Sequence, residues 1–364
     1  MKRLTEFDQL ADPTFSNAVI DWQRQHGRHA LPWQNTTDAY RIWLSEIMLQ
    51  QTQVAAVLAY YARFLERFPT LLALAEAPSE DVMALWSGLG YYTRARNLHA
   101  CAKRVVAEYG GVFPSDPALL ADLPGIGRST AAAISAFSSG TRAAILDGNV
   151  KRVFARVFGI DQYPGIKPVE DALWRRADAL LPESGIERYT QGLMDLGATL
   201  CTRSSPDCAR CPLRQRCVAF ATGRTAELPV RKPKKTNPEK RAAILVIVDD
   251  GQVLLEQRVD SGIWGGLLSL PEVDGHAAFD AAAPDALAAA GRFGAVEDVQ
   301  ALLPLVHVFT HYKLHIHPHK IGLAQRAAVE PGYVWWNLAD IEKAPLPAPV
   351  KKLLSQLAQP TLFT

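Results

Sequence analysis

Hydrophobic positions recur with helical spacing through most of residues 15–225. In the stretch WLSEIMLQQTQV, residues 43–54, the apolar side chains return at intervals near 3.6 residues, the period of one helical face. The same pattern predicts helices at 15–27, 40–68, 79–86, 93–109, 117–121, 128–138, 149–158, 168–181 and 187–199. Short loops rich in Gly or Pro separate these stretches, as expected for packed helices. The pattern therefore predicts an all-α part.

The pattern changes after residue 225. Residues 226–240, AELPVRKPKKTNPEK, combine prolines with Lys and Arg, a composition typical of a linker. RAAILVIVDD and GQVLLEQRV then indicate two strands joined by a DDG turn, LPLVHVFTHYKLHIHPHK alternates, and VWWNL indicates another strand. The sequence predicts a multidomain chain with a helical domain at 1–225, a basic Pro-rich linker at 226–240, an α+β domain at 241–355 and a tail at 356–364.

Length and charge narrow the class of protein. The 364 residues suffice for two or three domains. No secretory signal is visible in MKRLTEFDQLADP, and no apolar run reaches the length of a membrane helix. We therefore expect a cytoplasmic protein, associated with the nucleoid in a bacterium. The net charge is +2, with the basic excess in the helical part and linker, which favours a polyanionic partner.

Four of the five cysteines lie close together in the pattern C-x6-C-x2-C-x5-C. They are Cys201, Cys208, Cys211 and Cys217. Clustered thiols in a reducing compartment are usually metal ligands. Zinc and an iron–sulfur cluster both accept four thiolates, so the spacing leaves the choice of metal open. Arginines within the same segment favour a contact with phosphate.

Three further stretches carry candidate chemistry. In LPGIGRSTAAAI, Gly125 and Gly127 form a tight turn before a helix, whose free N–H groups attract an anion; a simple interhelical turn is the alternative. In LDGNVKRVFAR, Asp147 is either a helix cap or a reactive carboxylate. Glu46 lies among apolar residues, where lost hydration would raise its pKa and make it a general acid, unless it faces solvent.

Taken in order, these motifs resemble the helix-hairpin-helix DNA glycosylases that carry an iron–sulfur cluster. The resemblance is closest to the MutY adenine DNA glycosylases and covers residues 15–225, continuing more loosely beyond them. It rests on WLSEIMLQQTQV, GLGYYTRARNLH, LPGIGRSTAAAI, LDGNVKRV, MDLGATLCTR and the cysteine loop 201–217. The resemblance, rather than the spacing, implies a [4Fe–4S] cluster on the four cysteines instead of zinc.

The resemblance also implies a mechanism in which the target nucleotide is flipped into a pocket. Glu46 matches the general acid that protonates adenine, and Asp147 matches the carboxylate that stabilises the oxocarbenium-like sugar. Asn149 would orient water or Asp147. Ser129 stands where the related endonuclease III branch has a lysine nucleophile, so the enzyme should be monofunctional. Its hydroxyl is expected to bond to Asp147 or the sugar, and a plain serine at a helix start is the alternative.

Further matched positions are expected to contact DNA or the flipped base. Gln51 and Tyr91 resemble residues wedged into the duplex. The expected DNA contacts are Gln51, Thr52, Tyr91, Arg94, Lys151, Gly125 and Gly127. Lys151 could also react adventitiously with an abasic product. Trp33 and Gln191 are expected in the base pocket.

Residues 241–355 resemble the MutT-like domain of these glycosylases. The stretch after Leu270 lacks the acidic helix with which Nudix hydrolases bind magnesium, so the domain should bind rather than hydrolyse. In the family an F-S-H loop recognises 8-oxoguanine, and Phe309, Thr310 and His311 match it here. Five histidines at odd positions between 307 and 319 would share one face of a continuous strand, although a second metal site there is disfavoured.

The sequence thus predicts a monofunctional, monomeric adenine DNA glycosylase of base excision repair. Its expected substrate is double-stranded DNA with adenine opposite 8-oxoguanine or guanine, and the linker 226–240 is a candidate docking strip for repair or replication proteins. The alternatives are a thymine or uracil mismatch glycosylase, a non-catalytic redox DNA-binding protein and a nucleotide pyrophosphohydrolase. Glu46 and the C-terminal domain disfavour the mismatch glycosylase. The presence of both Glu46 and Asp147 disfavours the non-catalytic protein. The missing acidic helix disfavours the pyrophosphohydrolase.

Overall fold

The computed structural model describes residues 10–233, 237–259, 261–273, 287–309 and 311–358. The chain divides into two compact units, residues 1–75 with 100–234 and residues 76–99 with 235–364. The second division falls within the predicted linker. The grouping of residues 76–99 with the second unit has no signal in the sequence. An all-α part followed by an α+β part confirms the predicted fold class.

The helices lie close to the predicted stretches. They are α1 Pro13–His26, α2 Ala39–Leu49, α3 Val54–Arg67, α4 Leu71–Glu76, α5 Ser79–Trp86, α6 Thr93–Tyr109, α7 Pro117–Ala121, α8 Arg128–Ser139, α9 Gly148–Val157, α10 Lys167–Ala179, α11 Ile186–Asp195 and α12 Val218–Ala221. The stretch 40–68 was expected to be one helical run, and it is two helices. Gln51 has a φ of +57°, a left-handed conformation that no helix accommodates, so α2 ends before it.

Aspartate caps begin several of these helices. Asp12, Asp38, Asp116 and Asp147 each accept a hydrogen bond from an N–H group in the first turn of α1, α2, α7 and α9. Such caps satisfy N–H groups that have no partner inside the helix. A π-helical turn, Leu196–Leu200, follows α11 directly and leads into the cysteine loop.

The core of the first unit surrounds α9. Phe15, Phe154 and Phe158 form an aromatic cluster with ring centroids 5.5–5.9 Å apart, and Phe154 is fully buried. Leu193 and Leu196, from α11 and the π-helical turn, pack into the same core. Because α9 is held on several sides, Asp147 at its N-terminus has a defined position.

The second unit is built on a mixed sheet. Its strands are β1 Glu239–Asp249, β2 Gln252–Gln257, β3 Leu268–Ser269, β4 Glu272–Val273, β5 Gly294–Ala301, β6 Leu305–Val308, β7 Lys313–Arg326 and β8 Tyr333–Asn337, with a helix α13 at Ala348–Ala358. The main path runs β3-β2-β1-β7-β5, while β4 pairs with β1, β6 with β7 and β8 with β2. Only β1 and β7 pair in parallel, over Glu239↔Lys313 to Val248↔Gly322, among the strand pairs of the described residues.

The alternating stretch 303–320 is a hairpin rather than a continuous strand. β6 and β7 pair in antiparallel register, and the Phe309 N–H donates to the Tyr312 carbonyl across the turn, at 2.8 Å. His307 therefore lies on β6, whereas His315 and His319 lie on β7. The shared face of five histidines does not exist, because the chain reverses direction between them.

The segment 76–99 of the second unit carries α5 and the start of α6. The Ser87 hydroxyl donates to the Leu346 carbonyl at 2.9 Å, and the Arg96 guanidinium donates to the Gly265 carbonyl at 2.5 Å. These bonds join the helical segment to loops of the α+β part. No helix in the described part of the chain has the length and apolar character needed to cross a membrane.

Replacing Phe154 by alanine should lower the free energy of unfolding by about 3–5 kcal/mol, because the side chain is fully buried and the cavity it leaves collapses only partly. Chemical denaturation followed by far-UV circular dichroism measures the change. Leu119→Ala on α7, where the side chain is 45% exposed, is the matched control and should change stability by less than about 0.5 kcal/mol. Equal losses in the two variants would contradict the packing described for α9.

Candidate active site and cysteine loop

Glu46 lies on α2 and lines a cavity of about 660 Å³ in the first unit. Trp33 and Gln191, both expected in the base pocket, line the same cavity. Burial raises the pKa of Glu46 to about 7, and the negative charge of Asp147 contributes further. The group can therefore hold a proton near neutral pH, as an acid catalyst requires.

Asp147 is held at the N-terminus of α9. One carboxylate oxygen accepts from the Val150 N–H at 2.7 Å, and the other accepts from the Asn149 side-chain amide at 3.4 Å. Burial raises the pKa of Asp147, while these hydrogen bonds and the charge of Arg152 oppose that rise. The pair thus combines a desolvated carboxyl group with a hydrogen-bonded one, an arrangement suited to a proton donor beside a stabilising anion.

A chain of polar contacts runs from Asp147 to the cysteine loop. Asn149 accepts from the Arg152 guanidinium at 2.7 Å, and the same guanidinium donates to the carbonyls of Gly197 at 2.6 Å and Cys201 at 2.7 Å. Gly197 is close to Asn149, since a Cβ there would lie 2.5 Å from the Asn149 Cβ. The π-helical turn therefore packs directly against Asn149 and restricts its position.

Ser129 lies near the start of α8, with its hydroxyl accepting from the Leu146 N–H at 2.9 Å. It contacts the backbone next to Asp147 rather than the Asp147 carboxylate. Before it, Gly125 has a φ of +77°, which only glycine adopts without strain, and Gly127 precedes α8 with open space beside it. Within the described residues no side chain caps α8, so its first-turn N–H groups are available to an anion.

The four clustered cysteines line one small cavity between α9, the π-helical turn and α12. Burial is the main reason that the pKa of Cys211 is raised to about 11. Burial also raises the pKa of Cys208 and of Cys217. Among the described residues, no three His, Cys, Asp or Glu side chains are arranged around a single metal ion.

The chain is similar to known proteins in sequence and in fold. Residues 44–178 match the HhH-GPD superfamily of base excision DNA repair proteins, and residues 242–356 match a NUDIX domain. An adenine DNA glycosylase of Buchnera aphidicola is 34% identical over 343 residues, covering 93% of this chain and 96% of that protein. The human adenine DNA glycosylase is 32% identical, covering 95% of this chain and 74% of that protein.

The chain belongs to the adenine DNA glycosylase family.

A solved structure supports the fold of the helical part of this family member. A thermostable thymine-DNA glycosylase superposes with a TM-score of 0.53 at 29% identity, covering 57% of this chain and 95% of that one. The two adenine DNA glycosylases thus match nearly the whole chain, whereas the thymine-DNA glycosylase covers 57% of it.

Two expected wedge residues of this family member have strained backbones. Five non-glycine residues among those described have a positive φ, and they include Gln51 at +57° and Tyr91 at +50°. Both are exposed. Left-handed conformations of such residues cost free energy and collect at functional sites. Thr52 follows Gln51 in the same loop, with its N–H donating to the Leu49 carbonyl at 3.2 Å.

Two expected DNA contacts have internal partners. Arg94 is buried and donates to the carbonyls of Leu89 at 3.3 Å and Gly90 at 3.1 Å, so it braces the loop that bears Tyr91 instead of reaching into solvent. The Lys151 ammonium pairs with Glu170 at 2.5 Å. A phosphate contact by either residue would require these bonds to break.

In the second unit, the expected lesion loop lies between β6 and β7. The Phe309 ring is 4.5 Å from His307, 5.8 Å from Trp264 and 6.1 Å from His311 between centroids. Trp264 has a φ of +58° and is nearly buried, whereas His311 is exposed. Thr310 lies outside the described residues.

The sequence reasoning missed several residues that hold this site. Arg152 and Arg156 were passed over, although two arginines four apart share a helix face and lie beside the apolar residues of α9, which is a signal for internal partners. Arg156 is buried and donates to the carbonyls of Leu228 and Thr202 and to the Cys201 sulfur, at 2.8, 2.7 and 3.3 Å. Asp195, in the apolar stretch GLMDLG, was also missed and is fully buried.

Replacing Glu46 by glutamine should stabilise the protein at high pH and not at low pH. The folded state holds the Glu46 proton up to about pH 7, whereas the unfolded state releases it near 4.5, so the wild type loses stability as pH rises through this window. The variant escapes a loss of about 3 kcal/mol, measured as unfolding free energies at pH 4.5 and 8. Exposed Glu66→Gln on α3 is the control. A pH-independent difference would contradict the raised pKa.

Proposed function

We propose that this protein is a monofunctional adenine DNA glycosylase that removes adenine opposite 8-oxoguanine or guanine. The observation that carries the proposal is Glu46, which lines the 660 Å³ cavity and has a pKa of about 7 that burial and the negative charge of Asp147 raise. A purine leaves the sugar more readily when its ring is protonated, and such a group supplies the proton at neutral pH.

The reaction begins when adenine is flipped out of the duplex into the cavity, between Trp33 and Gln191. Glu46 donates its proton to the adenine ring as the bond between C1′ and nitrogen breaks. Asp147 stabilises the cationic sugar left behind. Water then attacks C1′ and gives its proton to the Glu46 carboxylate, which restores the acid. The products are free adenine and an abasic site.

The absence of lyase chemistry follows from the groups nearest to the sugar. Ser129 has no amine with which to form an imine, and its hydroxyl is engaged by the Leu146 N–H. Lys151 has an amine, but it is paired with Glu170. We therefore expect the strand to remain intact after adenine is released.

DNA is proposed to bind through its backbone and through the two strained loops. The turn at Gly125 and the uncapped start of α8 would hold a phosphate without reading sequence. Gln51 and Tyr91 would enter the duplex, where an inserted side chain offsets the cost of unstacking. Phe309, Thr310 and His311 would recognise the 8-oxoguanine base in the second unit.

The cysteine loop is proposed to bind a [4Fe–4S] cluster. Cys201, Cys208, Cys211 and Cys217 line one cavity, and four thiolates are the ligand set of such a cluster. The Arg156 guanidinium at the Cys201 sulfur suits the negative charge of a thiolate-bound cluster. When bound, the cluster would crosslink the loop and fix its arginines for phosphate. We further propose a cytoplasmic monomer whose linker 226–240 docks repair or replication proteins.

A duplex with one adenine opposite 8-oxoguanine tests the activity. Single-turnover reactions should give strand breaks only after hot alkali, because adenine is lost without cleavage of the strand. The rate should fall as pH rises above about 7, where Glu46 loses its proton. Glu46→Gln should lower it by about 10²–10⁴.

The control for that experiment is Glu66→Gln, which should keep the wild-type rate. Breaks without alkali would point to a second nucleophile and contradict the monofunctional assignment. Release of thymine or uracil from mismatches, with no release of adenine, would favour the alternative that the thymine-DNA glycosylase likeness raises.

The role of the lesion loop is tested by comparing the rates on adenine opposite 8-oxoguanine and on adenine opposite guanine. Phe309→Ala or His311→Ala should lower the ratio of rates on adenine opposite 8-oxoguanine and opposite guanine by about tenfold, the effect of losing one good contact. Val306→Ala, an exposed change on the adjoining strand β6, is the matched control. An unchanged ratio in both loop variants would remove this loop from lesion recognition.

A further inference from the structure

Asp195 is a fully buried carboxylate that bonds to two residues lining the Glu46 cavity. It lies at the end of α11, where the chain passes into the π-helical turn. One oxygen accepts from the Arg28 Nε at 2.7 Å and from the Gln191 Nε2 at 2.8 Å, and the other accepts from the Arg28 backbone N–H at 2.8 Å. Arg28 and Gln191 both line the cavity.

The hydrogen bond between Asp195 and Gln191 fixes the orientation of the Gln191 side-chain amide. A side-chain amide has a donating and an accepting end, and a rotation of 180° exchanges them at little steric cost. A carboxylate paired with a guanidinium accepts hydrogen bonds and donates none. The NH2 end of Gln191 must therefore point to Asp195, because the opposite rotamer would oppose two oxygen atoms.

The consequence is that the cavity meets the accepting end of Gln191. Among purines, adenine presents a donating amino group at its 6-position, whereas hypoxanthine and guanine present an accepting oxygen there. A buried acceptor forms a hydrogen bond with the 6-amino group of adenine. It faces a second acceptor, and forms no hydrogen bond, when the base carries an oxygen at the 6-position. Arg28 holds Asp195 in place through two bonds, so the carboxylate cannot rotate away.

We propose that Asp195 is a positioning residue that sets the specificity for adenine by fixing Gln191 as a hydrogen-bond acceptor. The inference rests on the proposed function, because it assigns the recognition of the 6-amino group within the same cavity. Arg28 acts as the second support, through its backbone and its side chain. Asp195 itself does not contact the base.

The test is a double-mutant cycle on the ratio of two rates. Asp195→Asn, Gln191→Ala and the double variant are compared with the wild type in single-turnover release of adenine and of hypoxanthine, each opposite 8-oxoguanine. Asp195→Asn removes the charge that fixes the amide, so the ratio of adenine to hypoxanthine rates should fall about tenfold or more. In the Gln191→Ala background the same change should leave the ratio unaltered.

Thr199→Val is the matched control. It removes a hydrogen bond of 2.8 Å to the Asp195 backbone carbonyl and leaves the carboxylate untouched, so the ratio should stay at the wild-type value. Melting temperatures accompany each variant, since a purely structural defect lowers both rates together and leaves their ratio unchanged. An equal fall in the ratio with and without Gln191 would overturn the proposal.

A second measurement serves if Asp195→Asn does not fold. Wild type and Gln191→Ala are compared on hypoxanthine and on purine, which has only hydrogen at the 6-position. A fixed acceptor should make the wild type disfavour hypoxanthine against purine, relative to Gln191→Ala. A wild type that favours hypoxanthine would show that the amide rotates freely and would overturn the proposal. A wild type that releases no adenine would instead refute the proposed function.

Discussion

The burial of the Glu46 carboxyl group at the edge of a cavity is the constraint on which the candidate active site depends. A carboxylate in water has lost its proton long before neutrality, so an acid of pKa about 7 requires a site that makes the charged form costly. The helix α2 supplies that site by placing Glu46 between buried residues on one side and a cavity on the other. Asp147 adds a neighbouring negative charge, but hydrogen bonds keep its own charged form accessible. Burial raises the pKa of both carboxyl groups, but only at Asp147 do hydrogen bonds and a nearby positive charge oppose that rise.

The helix α9 connects this chemistry to the cysteine loop. Its N-terminus carries Asp147, its middle carries Arg152, and its C-terminal half carries Arg156. Each arginine is surrounded by backbone carbonyls, which offset the cost of removing a guanidinium from water. A displacement of the loop would leave these donors without acceptors, so the loop and the helix that bears Asp147 hold each other in place. Through these contacts the cysteine loop can support the position of Asp147.

Three of the five left-handed non-glycine backbones among the described residues lie in loops that would meet DNA. Gln51 and Tyr91 have left-handed backbones and exposed side chains, and Trp264 has the same conformation beside the aromatic loop of the second unit. Such conformations persist only where neighbouring contacts determine them. For Tyr91 those contacts include Arg94, which the sequence indicated as a DNA contact and which instead supports the loop from within. The expected DNA contacts thus divide into residues presented to solvent and residues that support them.

The sequence by itself determined the helical and α+β parts, the cysteine set and the two carboxylates. These features depend on local periodicity, on side-chain chemistry and on motifs that survive without knowledge of distant contacts. Only the tertiary structure decided that residues 76–99 pack with the second unit, that the histidine stretch is a hairpin, and that Lys151 is paired with Glu170. It also brought Asp195 against Arg28, 167 positions away. Charge compensation between distant residues leaves no periodic trace in a single sequence, because a buried aspartate and an exposed one have the same letter and differ only in what folding places beside them.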